Sequence, residues 1–465
     1  MFHGVARGAR VGNDGRALRS LFDLRLLVVV APAALAAVVA CGGSSSTAAA
    51  APTTPFTVWV FDEGSTIADE GAPLPGVTVA LDAPAGGASA THVVKTTDAD
   101  GHVTFDADLS HGGVHVSAFS PDHTLVTMLD ASPDTARARP NTFGKPAEDL
   151  AIVLPRLDAA IRSSTVELRG AISGKRDLGD ALSLSAGAVR RIGQGETKAS
   201  TYAIRGPKNV PFVVLGHEAG TQSDTNGTIT FEQVKSFRVD LPARATDEVL
   251  DIDVAASPAL AMQQLHLRAD IPTGSASPFV PGTRASAIVQ SADSSLLVGT
   301  FGSIAATSDA LGFDLVVNVA QTDIAPERVT TQASIVAPDG TTSIRTELGI
   351  AADKTVWSDF LFPAPVDSVN QSISDPVPLA GFPAGADLRL EVYAADQLVW
   401  ILKGPPGGPH ADSVTMPPPL GIDFPIAVQL VALLVIAQAD RVPLPPHGEL
   451  YRRVAVSHDV ILRRN

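Results

Sequence analysis

The sequence predicts an all-β protein made of several β-sandwich domains in tandem. Three observations predict it. The 465 residues are 45% hydrophobic and only 18% charged, too apolar for a disordered chain. Its 39 glycines and 35 prolines punctuate it too often for long helices. Between those breaks, apolar residues recur with period two, the mark of strands with one face buried. By length alone the chain calls for about three domains. With a single cysteine it cannot form an internal disulfide, so packed cores must stabilise it.

Residues 1–25 are basic overall, and Leu26 to Ala40 is a run of apolar or small residues broken only by Pro32. Such a run is shorter than the roughly 20 residues a membrane span needs, but it suits the core of a signal peptide. It ends in Val38-Val39-Ala40-Cys41, and Cys41 is the chain's only cysteine. This tetrapeptide resembles the bacterial lipobox, although Val39 stands where that motif carries a small residue. The resemblance implies cleavage after Ala40, diacylglycerol on the Cys41 sulfur and acylation of the new amino group. Several acyl chains, at about 0.8 kcal/mol per buried methylene, anchor a protein to a membrane as one chain cannot. Residues 1–40 are thus expected to be a lipoprotein signal peptide, and 41–55 the lipidated cysteine with a flexible tether rich in Gly, Ser, Thr and Ala. Gly42 occupies the position where an aspartate would retain a lipoprotein at the inner membrane, which favours the outer membrane in a Gram-negative host.

The net charge is −15, and loss of residues 1–40, which carry five arginines and two aspartates, takes it to about −18. An acidic body repels phosphate backbones, which argues against nucleic-acid binding. The charge also keeps an apolar-rich chain soluble.

From Phe56 the body begins. Phe56, Val58 and Val60 alternate with Thr57, Trp59 and Phe61, a strand apolar on both sides. Asp62-Glu63-Gly64 breaks it, Pro73 to Gly76 makes a turn, and Val77, Val79 and Leu81 alternate with Thr78, Ala80 and Asp82. Thr97-Asp98-Ala99-Asp100-Gly101 is a tight turn leading into a strand with Val103 and Phe105 on one face. Val114, Val116 and Ala118 start another strand.

These residues resemble the carboxypeptidase regulatory-like domain: an opening strand, Pro-Leu-Pro-Gly before Val-Thr-Val, and Thr-Asp-Ala-Asp-Gly before Val-Thr-Phe. The resemblance covers residues 56–131, about one sixth of the chain. It implies a small transthyretin-like sandwich with Greek-key connections, and says almost nothing about activity. Further on, Ser223-Asp224-Thr225-Asn226-Gly227-Thr228-Ile229-Thr230-Phe231 repeats the 97–105 segment position by position. A second, similar sandwich is therefore expected over 150–256, after a Pro-bearing connection from Pro133 to Pro146. Two more β-rich domains of transthyretin-like or immunoglobulin-like kind are expected over 259–365 and 366–465. Their strands show at Leu265 and Leu267, Phe313 to Val317 and Leu388 to Val392, with a hairpin turn at Pro338-Asp339-Gly340. Ile426 to Ala437, twelve apolar residues broken by Gln429, reads as one or two buried strands, and Val454 to Leu462 as strand.

The sequence carries no recognisable catalytic motif. None of the eleven histidines is followed three places on by glutamate, and H-E-x-x-H does not occur. His217-Glu218 and His447-Gly448-Glu449 have the wrong spacing for such a site. G-x-S-x-G, P-loop and dinucleotide-binding patterns are missing as well. No cofactor is expected. His92, His102, His111, His115 and His123 cluster beside Asp98, Asp100, Asp106 and Asp108, the residue types that zinc takes. His111 and His115 share strand parity and are the metal candidates, set against plain solvated strand-face histidines. Asp98 and Asp100 invite calcium, but an EF-hand loop needs glycine where Val103 stands. Trp59, Trp357 and Trp400 could serve as sugar platforms, but each sits in a strand-like run, which favours core or interdomain packing.

The expectation is a lipid-anchored envelope protein acting as a non-catalytic structural or binding module. The alternative is a surface adhesin that takes carbohydrate or protein on loops of the C-terminal domains. A third reading is an envelope hydrolase with an unrecognised site in 259–465.

Overall fold

The computed structural model describes residues 54–64, 71–82, 92–107, 113–139, 141–186, 194–197, 199–225, 228–270, 284–291, 302–305, 312–322, 329–349, 355–357, 360–361, 375–394, 397–408, 413–417, 430–444, 448–457 and 460–463. Cys41 and the leader, His111, Asp108, Asn226 and Gly227 lie outside them.

The first sandwich contains seven strands: β1 (Thr54–Asp62), β2 (Thr78–Asp82), β3 (His92–Thr96), β4 (His102–Ala107), β5 (Val114–Phe119), β6 (Leu125–Ala131) and β7 (Leu150–Leu154). One sheet runs β4-β1-β7 and the other β3-β2-β5-β6. β1 is antiparallel to β4 and parallel to β7. Phe56, Val58 and Val60 point into the core against Val79, Leu81, Phe105, Val116 and Ile152. The other face of β1 is covered by the 141–149 segment. Phe61 stacks on Phe143 at 3.9 Å, and Lys145 Nζ sits 3.8 Å from the Trp59 ring. The strand begins at Thr54, inside the stretch expected to be tether.

Strand pairing shows where the first sandwich ends. β7 completes the first sandwich, so its boundary lies at Leu154 and not at 131. The Pro-bearing connection conceals this, because it holds a helix, α1 (Pro133–Ala138), started by a Ser132–Thr135 capping box. The tight turn at 97–101 joins strands of different sheets. β3 pairs with β2 and β4 with β1, so this turn carries the chain from one sheet to the other. Gly101 has φ +77° there, and a Cβ on it would meet Pro73 Cβ and Leu74 N at 2.9 Å. Glycine is required both for the backbone angle and for the close approach.

The second sandwich follows a short helix, α2 (Asp158–Ser164). Its strands are β8 (Thr165–Ser173), β9 (Ala181–Ser185), β10 (Gln194–Thr197), β11 (Thr201–Pro207), β12 (Phe212–Thr225), β13 (Thr228–Leu241), β14 (Glu248–Val249) and β15 (Ile252–Asp253). Its sheets run β11-β8-β14, with β15 also on β8, and β10-β9-β12-β13. Strand for strand this is the order of the first sandwich. The counterpart of the 97–101 turn is the Thr197–Thr201 connection. The 223–231 segment is a true hairpin between β12 and β13, with Thr225 opposite Thr228, and it corresponds to the β5–β6 connection. The residue-by-residue match was thus between non-equivalent turns, because aspartate or asparagine before glycine serves any tight turn.

The order recurs in the third sandwich, made of β16 (Met262–Asp270), β17 (Arg284–Ser291), β18 (Gly302–Ala305), β19 (Gly312–Ala320), β20 (Val329–Val336), β21 (Thr342–Leu348) and β22 (Thr355–Trp357). β19-β16-β22 form one sheet segment and β18-β17-β20-β21 the other. The fourth keeps one sheet in full. Its strands are β23 (Val377–Pro378), β24 (Asp387–Ala394), β25 (Gln397–Lys403), β26 (Ser413–Val414), β27 (Leu430–Leu444), β28 (Gly448–Val456) and β29 (Val460–Arg463). β25-β24-β27-β28 repeat the four-stranded order, β23–β26 are a two-stranded remnant of the facing sheet, and β29 pairs β27 instead.

The sandwiches join edge to edge. β6 of the first pairs in parallel with β25 of the fourth, from Leu125 opposite Trp400 to Met128 opposite Lys403. β21 of the third pairs antiparallel with β28 of the fourth. β13 of the second pairs in parallel with β19 of the third. Backbone pairing thus crosses the expected segment limits, and a thirteen-stranded sheet runs through the third, fourth and first sandwiches. In each of the first three sandwiches the edge used is that of the sixth strand. Exposed N–H and C=O groups along an edge are a template for aggregation, and here each of these edges is met by a neighbouring strand over part of its length.

Candidate functional site

Among the described residues, the histidines of the first sandwich, His92, His102, His115 and His123, do not converge. His92 Nδ1 lies 2.5 Å from Asp82 Oδ1 on an exposed edge. His115 Nδ1 accepts the backbone N–H of Asp130 at 3.3 Å. The His102 ring stacks on Trp59 at 4.6 Å, with its Nδ1 2.9 Å from Asp98 Oδ2. Asp98, Asp100 and His102 bring ligand atoms within 4.8 Å of one another. Asp98 Oδ1, however, already accepts the backbone N–H groups of Asp100 and His102, at 3.0 and 3.1 Å. These bonds hold the Asp98 carboxyl below its ordinary pKa. The aspartates make the turn.

His123 is buried and lies between Ser120 Oγ, 3.2 Å from Nδ1, and Asp62 Oδ1, 3.3 Å from Nε2. Serine, histidine and aspartate invite a nucleophilic reading. Against it, the Arg156 guanidinium engages both Asp62 oxygens, from 2.6 to 3.0 Å. Burial raises the Asp62 pKa, but hydrogen bonds from His123 and Arg156 outweigh it and lower the value to about 2. The cluster ties the end of β1 to the exit of β7.

His217 and Glu218 are adjacent on β12 and face opposite ways. His217 Nδ1 pairs with Ser236 Oγ at 2.8 Å, and Glu218 Oε1 accepts the backbone N–H of Arg176 at 2.6 Å. Of the three tryptophans, Trp400 is core, 1% exposed, and donates from Nε1 to Thr127 Oγ1 at 3.0 Å across the seam between the first and fourth sandwiches. Trp59 donates to Asp149 Oδ2 at 2.9 Å. The Trp357 side chain lies outside the described residues.

A polar cavity of about 230 Å³ lies over the β6–β25 seam. Its floor is the shared sheet, which presents Arg389, Lys403, Gln438 and Tyr451; its wall comes from α1 and the following segment, with Arg139, Asn141 and Asp149. Arg139 reaches across to Asp387 at 2.9 Å, and Arg389 pairs with Glu391. Sequence reading missed this site because its two halves lie some 250 residues apart in the chain. The Ser132-Pro133-Asp134-Thr135 helix start was the one local signal.

No protein-family model matches the chain, and no curated protein matches it. Among solved structures, the minor pilin GBS52 of Streptococcus agalactiae is 15% identical, with 44% of this chain and 99% of that one covered and a TM-score of 0.15. The tetra-tandem repeat in the extending region of a large adhesion protein is 12% identical, covering 88% and 99%, with a TM-score of 0.13. The pilus adhesin SpaC from Lactobacillus rhamnosus GG is 10% identical, covering 77% and 43%, with a TM-score of 0.16. At such scores the whole chains do not superpose, and the four-sandwich topology stands on this chain's own strand pairing.

Proposed function

We propose that this chain is a lipid-anchored, non-catalytic structural and binding protein of a bacterial envelope. The observation that supports it best is the edge-to-edge pairing that makes sheets continuous from one sandwich to the next. A chain assembled this way resists bending at its joints, which suits a rigid stalk or platform more than an enzyme that must open and close. The lone cysteine after an apolar leader supplies the means of attachment, and Gly42 favours the outer membrane of a Gram-negative host. Cells expressing the wild type should incorporate labelled palmitate into this protein, and Cys41→Ser should abolish the label and release the protein from the membrane fraction. Equal labelling of both would end the lipid-anchor reading. The alternative, a surface adhesin that takes carbohydrate or protein on loops of the C-terminal domains, is compatible with the same architecture.

A further inference from the structure

We infer that the β6–β25 seam is a mechanical clasp, which carries tension directly between the first and fourth sandwiches and keeps the second and third unloaded until it parts. This rests on the lipid-anchored reading above, which places one end of the load at Cys41, and adds how that load is borne.

Connectivity supports it first. The sandwiches follow one another along the chain. Strand pairing joins the second to the third, the third to the fourth, and the fourth back to the first. The four therefore close a ring. A pull that enters at β1 and leaves through the fourth sandwich has two routes, one across the seam and one through the second and third sandwiches. The seam is the short route, because β6 and β25 lie side by side although residues 132–396 separate them in the chain.

Packing decides which route is stiff. β6 and β25 share a core on each face of their sheet. On one face Val126 and Met128 belong with Tyr393, Leu398 and Ile401. On the other, Leu125 and Leu129 belong with Leu390, Trp400 and Leu402. Parting the strands exposes both cores at once, which water opposes. It also breaks the hydrogen bonds from Trp400 to Thr127 and from Thr124 to the Leu398 carbonyl. The second sandwich is built differently. Among the described residues its core runs from Val166 to Val254 and includes no residue of another sandwich. Its β13 meets β19 over three residue pairs, from Thr228 to Thr230. The first and fourth sandwiches thus act as one body, with the other two on a side branch.

While the seam holds, the stiffer route takes the load. Once it parts, the second and third sandwiches come into series with the anchor. Each is roughly 90 residues long and yields about 300 Å on unfolding, at roughly 3.3–3.6 Å per residue. A tethered chain then lengthens in steps before its anchor takes the full pull.

Single-molecule pulling of the chain from Cys41 onward, held by peptide tags at its two ends, tests this. A glycine- and serine-rich insert of about 30 residues after Leu178, whose side chain stands in solvent on a surface loop, marks the second sandwich by lengthening its step by roughly 100 Å. The marked step should never come first. Phe237→Leu, in the separate core of the second sandwich, should leave the force of the first step unchanged, and Leu402→Ala at the seam should lower it. Traces that open on the marked step would overturn the inference. So would a first-step force that falls in Phe237→Leu, or one that stays at the wild-type value in Leu402→Ala. Any of these results from a protein that still takes palmitate on Cys41 would remove the clasp and leave the envelope reading intact.

Discussion

The fourth sandwich meets two neighbours through edges of opposite chemistry. Against the first sandwich it presents β25, and the seam is apolar. Trp400, Leu402, Leu390 and Val392 share a core with Leu125 and Leu129 of β6. Its few polar contacts are satisfied, with Trp400 bonded to Thr127 and Thr124 Oγ1 donating to the Leu398 carbonyl at 3.1 Å. Against the third sandwich it presents β28, and that seam is ionic. Arg345 stands directly opposite Arg453 across the strands, a like-charge pair that is unfavourable by itself. Asp440 resolves it, held by both Arg453 nitrogens and 3.8 Å from Arg345, while Glu347 takes Arg345 and Arg452. One pairing geometry can be held by exclusion of water or by charge compensation. The apolar seam should be far the stronger, because its side chains are fully buried and the Asp440 side chain is 44% exposed.

The largest effect should come from emptying the apolar seam. Trp400→Ala removes a side chain that is 1% exposed and its hydrogen bond to Thr127, at an expected cost of about 3–5 kcal/mol in denaturant unfolding. Unfolding of Trp400→Ala with the first sandwich still native would show the seam to be the weak joint. A loss under about 1 kcal/mol would refute its dominance.

Acid provides the intermediate test, at a buried carboxylate inside the first sandwich. The Asp62 carboxyl in the first sandwich is held at about 2, below its ordinary value of 3.8. A depressed carboxylate contributes stability that is present above the unfolded value and lost as pH falls through the folded one. The window is therefore from about pH 4 down to pH 2, and the contribution is about 2 kcal/mol. Stability curves of wild type and Asp62→Asn should converge across that window. Parallel curves would show that Asp62 does not titrate as its partners imply.

The smallest effect should lie at the ionic seam. Asp440→Asn leaves Arg345 and Arg453 opposed, and with a half-exposed partner the expected loss is no more than about 1 kcal/mol. It should be visible at low salt and disappear in about 1 M salt, where charges further apart than roughly 3 Å are screened. A salt-independent loss would mean that Asp440 acts through its hydrogen bonds from Arg453 and not through its net charge.

How much of this could be read in advance varies by element. The alternation at Phe56–Phe61 and Val77–Asp82 located β1 and β2, because period-two burial is a local property. β6 also carries a local signal. Leu125-Val126-Thr127-Met128-Leu129 is buried on both faces, a continuous pattern that belongs to an interior strand and not to a domain edge. By contrast β3, the opposite edge of the same four-stranded sheet, is mostly exposed and carries Lys95, as a guarded edge should. The metal candidates His111 and His115 rested on parity alone, and parity says which face a side chain takes without saying what else reaches it. Arg139, Lys403 and Gln438 had no signal as a group, since the seam alone brings them together.

By itself the sequence determined the β class, the faces that turn inward, the turn at Asp98–Gly101 and the placing of a single thiol behind an apolar leader. Tertiary structure decided which sheet edges meet, that the order of the first sandwich recurs along the chain, and where Trp400 and the seam cavity lie. The reason is directional. Side chains project from the faces of a sheet and write their pattern into the sequence, while strands join sideways through backbone N–H and C=O groups that every residue but proline carries alike.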